Sequence, residues 1–170
     1  HCQLPGLHQE AILLPYADVT APDWDAVNGW KFVSANLDYL YTGYIPSDTN
    51  ITLIVRYSNN TGEQYEIQTI IYNSHAFIRT RIDYSFWFGN GNWNEQSLFD
   101  PSNYSVVALS GFKCYLDGDL KLTGVEGGTA AADPFRIGME TSNRYFNGYI
   151  QAAAIYDTAI TTDQVSALTT

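Results

Sequence analysis

Two tryptophans, a tyrosine and three asparagines gather between residues 84 and 94: Tyr84, Trp87, Asn90, Asn92, Trp93 and Asn94. Aromatic rings that sit under C–H faces, with amides that take hydroxyls, are the materials of a sugar-binding surface. The competing reading packs Trp87 on Arg79 or Arg81 through a cation–π contact and covers it with a loop. Catalytic arrangements are harder to find. Glycoside hydrolysis needs two carboxyl groups facing each other about 5–10 Å apart. Glu63 and Glu66 are three residues apart, which sends them to opposite faces of a strand. His1, His8 and His75 are scattered without metal-ligand spacing, and His75 reads as a loop or surface histidine. Neither a Cys–His pair, a Gly-x-Ser-x-Gly elbow nor a phosphate-binding loop is present. No catalytic residue is expected.

Charge narrows the partners. With 18 acidic against 8 basic side chains the net charge is −10, so nucleic acid and anionic membrane surfaces are excluded as partners. No apolar run approaches the roughly 18–20 residues of a membrane-spanning helix. Loop carboxylates and amides leave calcium as the one cofactor the composition allows. Asp23, Asp25 and Asn28 form one small group and Asp100 with Asn103 another, both read as solvated loop residues without an assigned metal. Three Asn-x-Ser/Thr sites, at Asn50, Asn59 and Asn103, permit glycosylation. Chance alone supplies roughly two. Cys114 alternates with Phe112 and Leu116 and reads as a small core hydrophobe. A disulfide to Cys2 is left open. The chain begins at His1 without a signal peptide, which reads as a processed or trimmed product.

These residues must be positioned by strands. At 170 residues, 45% hydrophobic and 15% aromatic, with 13 Tyr, the composition suits one all-β domain. Residues 1–23 stand apart as an N-terminal arm, holding Pro5, Pro15, Pro22 and the apolar run Ala11-Ile12-Leu13-Leu14. The domain proper is expected over 24–170. An opening pair is predicted between Trp30 and Leu40, then a strand from Tyr41 to a proline turn at Pro46. Further strands follow at Ile51–Ser58 and Glu63–Asn73, joined by a hairpin connection at Asn59-Asn60-Thr61-Gly62. The longest alternation runs from Ile78 to Phe88 and predicts one strand, with Arg79, Arg81 and Trp87 on its solvent side. Gly89–Asn94 reads as a loop.

Tyr104–Leu109 is apolar on both faces and predicts a central strand. Phe112–Leu116 and Leu120–Leu122 flank Asp117-Gly118, a type I′ hairpin signal. Phe135–Met139 and Tyr149–Tyr156 complete the strands, and Thr161-Thr162-Asp163-Gln164 has capping-box spacing before a short terminal helix. About eleven to thirteen strands result, and two packed antiparallel sheets bury them.

The order of these signatures resembles the laminin-G-like branch of the concanavalin A-like lectin/glucanase jelly rolls. Tyr115, Asp117 and Gly118 match a Tyr-x-Asp-Gly turn, Ile137-Gly138 a short strand, and Phe146, Gly148 and Ile150 a Phe-x-Gly-x-Ile strand. Tyr156, Ala159-Ile160-Thr161 and Gln164 match the closing strand, turn and helix, and Leu37–Gly43 the opening strand. The resemblance covers about 24–170 and implies an antiparallel two-sheet jelly-roll sandwich with a short C-terminal helix. Gly118, Gly138 and Gly148 read as turn and packing glycines. Hydrolytic relatives place two Glu and an Asp alternately on one strand, and that spacing is absent here. Many laminin-G-like domains carry a loop calcium site whose ligands do not transfer by motif. The expectation is a non-enzymatic extracellular binding or adhesion module, secreted or surface-displayed, for a glycan or glycoprotein. The alternative is a structural subunit of an extracellular filament, pilus-like appendage or virion surface. There the arm would add a strand to another copy of the chain in a homopolymer.

Overall fold

The computed structural model describes residues 21–58, 67–81, 85–90, 93–97, 104–124, 132–140 and 144–169. The described chain runs through β1 (Asp23–Asp25), β2 (Gly29–Phe32), a 3-10 turn (Ser34–Asn36), β3 (Leu40–Tyr41), β4 (Thr52–Ser58), β5 (Ile67–Tyr72), β6 (Ala76–Arg81) and β7 (Ser85–Asn90). It continues through β8 (Trp93–Ser97), β9 (Ser105–Ser110), β10 (Lys113–Leu116), β11 (Asp119–Thr123), β12 (Arg136–Ile137), β13 (Gly148–Tyr156) and α1 (Thr162–Thr169). These strands form two antiparallel sheets. One has the order β1-β2-β13-β4-β9-β10-β11 and the other β3-β12-β5-β6-β7-β8. The fold is the jelly-roll sandwich that the sequence implies.

Two cores explain the apolar pattern. Between the sheets lie Phe32, Leu53, Val55, Tyr57, Ile70, Ile71, Ile78, Val107, Leu109, Phe135, Phe146 and Ile150. A second cluster covers the other side of the seven-stranded sheet, where Ile54, Val106, Ala108 and Tyr115 meet Ile160 and Val165. β9 is therefore buried on both faces, as its continuous apolar run predicts. Each large side chain removed from water in these clusters contributes about 1.5–3 kcal/mol. Helix α1 starts with the reciprocal bonds of a capping box. The Gln164 amide donates to Thr161 Oγ1 (3.3 Å), and the Thr161 amide to Gln164 Oε1 (2.8 Å).

Asp117 and Gly118 have φ of 50° and 87°, the two left-handed residues of a type I′ turn. The Asp117 side chain also accepts the Val106 amide at 2.8 Å, tying the hairpin to β9. Gly138, at φ 89°, has no room for a Cβ, which would overlap the Phe32 ring. Cys114 is a buried free thiol, pushed up to about 12 by burial.

Several expected elements differ. The alternation from Ile78 to Phe88 is not one strand but the paired strands β6 and β7, with Ile78 opposite Phe88 and Thr80 opposite Phe86. Even-numbered residues face even-numbered partners across this reversal, so the period-2 pattern passes through it unbroken. Gly89–Asn94 is not a free loop: its ends belong to β7 and β8, with Gly89 opposite Trp93. Arg79 lies at 1% exposure rather than on a solvent face. The opening pair reduces to β2 and the 3-10 turn. After the turn Leu37 takes φ 60°, and Asp38 turns back to accept the Val33 amide at 2.8 Å. The Tyr41–Pro46 stretch keeps only β3 in a ladder, and Phe135–Met139 only β12. In β5 a bulge at Ile70 buries Ile70 and Ile71 together where strict alternation would separate them. His75 is buried in the β5–β6 turn, its amide held by Asn73 Oδ1.

The arm with Ala11, Ile12, Leu13, Leu14 and Cys2 lies outside the described residues, as do Asn59 and Asn103. β1 opens the sandwich at Asp23.

Two substitutions separate these contributions. Gly138→Ala combines a left-handed backbone with an overlap on Phe32 and is expected to cost about 2–4 kcal/mol in chemical denaturation. Thr161→Ala removes only the helix cap, and the same measurement should read about 1 kcal/mol.

Candidate functional site

The outer face of the six-stranded sheet follows from its inner one. Leu40, Ile137, Ile71 and Ile78 point into the main core, so their neighbours on each strand belong to the opposite face. Reading the ladders from edge to edge gives a single line. Tyr41 is opposite Arg136, Arg136 opposite Tyr72, and Tyr72 opposite Phe77. Phe77 is opposite Gly89, and Gly89 opposite Trp93. Directly opposed residues are nearest neighbours on a sheet. The line crosses all six strands, or about 24 Å at the usual strand spacing. Next to it runs a polar line: Thr69 opposite Arg79, Arg79 opposite Trp87, and Trp87 opposite Glu95.

Charge on this face is organised by Glu140, just beyond β12. Its Oε1 lies 2.5 Å from Arg79 Nη2, with both side chains almost fully buried. Arg144 Nη1 approaches the same carboxylate at 3.2 and 3.3 Å, and Thr69 Oγ1 donates to Oε2 at 3.2 Å. The Glu140 carbonyl accepts from Arg136 Nη1 at 3.1 Å. The Arg79 guanidinium stacks 4.0 Å over the Phe77 ring and lies 5.6 Å from that of Tyr72. Burial pulls Arg79 below the usual guanidinium range, an effect the neighbouring Glu140 charge opposes. Tyr72 is raised by burial first and then by the charges of Glu140 and Asp133.

Of the six residues singled out from sequence, Trp87 and Asn90 fall on β7 and Trp93 and Asn94 on β8. Tyr84 and Asn92 lie outside the described residues. The backbone sets Trp93 on the aromatic line and Trp87 opposite the buried Arg79. Asn90 stands opposite Ala76 and Asn94 opposite Phe88, on the alternate rungs. The sequence reading missed Tyr41, Tyr72, Phe77 and Arg136, which become neighbours only through strand register. It also missed Glu140 and Arg144, whose role depends on where the segment after β12 crosses the sheet.

Of the residues considered for calcium, Asp100 and Asn103 lie outside the described residues, and Asp25 and Asn28 shape the β1–β2 turn. Asp25 Oδ1 accepts the amides of Asn28 (2.7 Å) and Val27 (2.9 Å), and these bonds hold its carboxyl below the usual range, Asn28 first. Asn28 in turn accepts from the Tyr104 hydroxyl. Among the described residues no three His, Cys, Asp or Glu side chains gather as a metal site. Asn50 is exposed at the start of its sequon, while Thr52 is buried and donates to the Thr158 carbonyl.

A buried ion pair is costly to half-remove. Glu140→Leu leaves the Arg79 charge buried without its counter-ion and is expected to lose about 3–5 kcal/mol of stability. The double variant Arg79→Met with Glu140→Leu should recover most of that loss. A denaturation series on the two proteins checks both values.

Comparison with known proteins places this geometry. A search of curated protein sequences finds no match. Among solved structures, domain 4 of an extracellular arabinanase from Geobacillus stearothermophilus, in complex with arabinotriose, is similar at TM-score 0.58 and 18% identity. That match covers 78% of this chain and 71% of the arabinanase domain. The CBM40 domain of a Ruminococcus gnavus IT-sialidase, bound to α2,3-sialyllactose, is similar at TM-score 0.59 and 14% identity, covering 75% and 85% of the two chains. A putative carbohydrate binding protein from Bacteroides ovatus is similar at TM-score 0.63 and 16% identity, covering 80% of this chain and 45% of the other. At these identities the likeness is one of fold. A laminin-G family profile matches residues 39–166, three-quarters of the sequence, and the chain belongs to the concanavalin A-like lectin/glucanases superfamily.

Proposed function

We propose that the chain is a non-enzymatic glycan-binding module that acts outside the cell. One observation carries this reading: the line Tyr41–Arg136–Tyr72–Phe77–Gly89–Trp93, which lays aromatic residues across a rigid sheet. Half-buried Tyr41 and Tyr72 on either side of Arg136 offer rings and a polar group suited to the apolar face and hydroxyls of a sugar unit. Of the residues singled out from sequence, Trp87 and Trp93 fall on rungs of this outer face at the β7–β8 edge. Two of the similar folds, from the arabinanase and the sialidase, were solved with oligosaccharides, which supports a glycan as the ligand class. Glu140 serves as counter-ion to Arg79 and Arg144 rather than as half of a facing carboxylate pair.

A glycan array followed by titration tests the reading. Trp93→Ala and Tyr72→Ala should each weaken the best ligand by about tenfold or more, equivalent to about 1.4 kcal/mol. Absence of binding by the intact chain to any glycan, with and without calcium, would sink it.

A second reading, assembly into a filament, has one structural observation in its favour. Among the described residues the seven-stranded sheet ends in β1 and β11, and in sequence the arm with Ala11–Leu14 precedes β1. An unpaired edge accepts a strand from another copy through main-chain bonds. Deleting residues 1–20 should then abolish assembly seen by light scattering while leaving the melting curve of the sandwich intact. An intact chain that stays monomeric at high concentration rules this reading out.

A further inference from the structure

Resting on the glycan-binding reading, we propose that Arg136 and Arg144 form an anion clamp, selecting glycans whose sugar rings carry a carboxylate or sulfate group. In a chain of net charge −10 with 8 basic side chains, three arginines converge on the single residue Glu140. They play different parts. Arg79 is buried and neutralises the carboxylate, its guanidinium lying over the Phe77 ring. Arg144 reaches the same carboxylate with one nitrogen, Nη1, and keeps 37% of its side chain exposed. Arg136 is anchored by one nitrogen too, through the Glu140 carbonyl, and is partly buried.

A guanidinium has five N–H donors in a planar fork, and each of these two spends only one nitrogen on Glu140. The remaining donors of both are held in place by the same residue. Fixed forks of this kind match the paired oxygens of a carboxylate or sulfate, and their ordering entropy is already spent before the ligand arrives. Glu140 brings one negative charge against three guanidiniums, so among the described residues Arg136 and Arg144 add positive charge around it. The neighbouring rungs supply the rest of the site. Arg136 stands between Tyr41 and Tyr72 on the sheet, so an anionic substituent at the clamp places its sugar ring over the aromatic line.

The intact chain should be titrated with matched pairs: α2,3-sialyllactose against lactose, and a sulfated galactose disaccharide against its unsulfated parent. The acidic member of at least one pair should bind about tenfold or more tightly. That preference should vanish in Arg136→Gln and in Arg144→Gln, and persist in part in Arg144→Lys, which keeps the charge without the fork. The sialylated and sulfated arms say which oxyanion is preferred. Should a glutamine variant not fold, the intact chain still decides. Raising NaCl from about 20 to about 500 mM should erase the preference for the acidic glycan and leave the neutral one unchanged. Equal binding of acidic and neutral members, or a preference that survives both glutamine variants, overturns the clamp and leaves the glycan reading standing. Failure of every glycan to bind overturns both.

Discussion

A two-sheet sandwich has four faces, and the core between the sheets occupies only two. Everything distinctive about this protein follows from what happens on the other two. The seven-stranded sheet covers the outer side of its central strands with α1, adding a second apolar cluster around Tyr115 and Val165. The six-stranded sheet does the opposite. Its outer face carries tyrosines, arginines and a buried ion pair. One outer face is spent on stability and the other carries the proposed binding surface.

Glu140 makes the second face possible. A buried guanidinium such as that of Arg79 is tolerated only with a partner at hydrogen-bonding distance. The partner comes from the segment leaving β12, so the same contact that neutralises Arg79 also fastens that segment across the sheet. Once fastened, it presents Arg144 through the carboxylate and holds Arg136 through the main chain. Gly138 belongs to this arrangement. Without a side chain it lets the chain pass against the Phe32 ring between β12 and Glu140. A structural charge pair and the proposed anion clamp thus draw on one short stretch of chain.

The contrast with hydrolytic relatives is physical as well as evolutionary. Glycoside cleavage needs opposed carboxyls and room for water between them, whereas Glu140 is enclosed by two guanidiniums and a threonine hydroxyl. Such a scaffold suits binding, in which rigid, well-supported side chains lose little freedom when a ligand arrives. The fold alone does not choose a ligand, since this architecture hosts many roles. The proposal places that choice in the residues on the outer face of the six-stranded sheet.

The sequence by itself determined the elements whose cause is local. Asp117-Gly118 turns because both residues adopt left-handed backbone, β9 is central because its apolar run has no polar side, and α1 begins at a reciprocal cap. Strand content, the two-sheet architecture and the family markers of the last third were legible for the same reason. Tertiary structure alone decided which strands are neighbours. The hairpin hidden between Ile78 and Phe88 preserves residue parity, so no periodicity reveals it. The line joining Tyr41, Arg136, Tyr72 and Phe77 draws on four strands from three separate stretches of the chain, and Arg79 meets Glu140 across sixty-one positions of sequence. Side-chain alternation says which face a residue takes on its own strand. Register between strands is set by the whole packed sandwich, and the proposed binding surface is a property of that register.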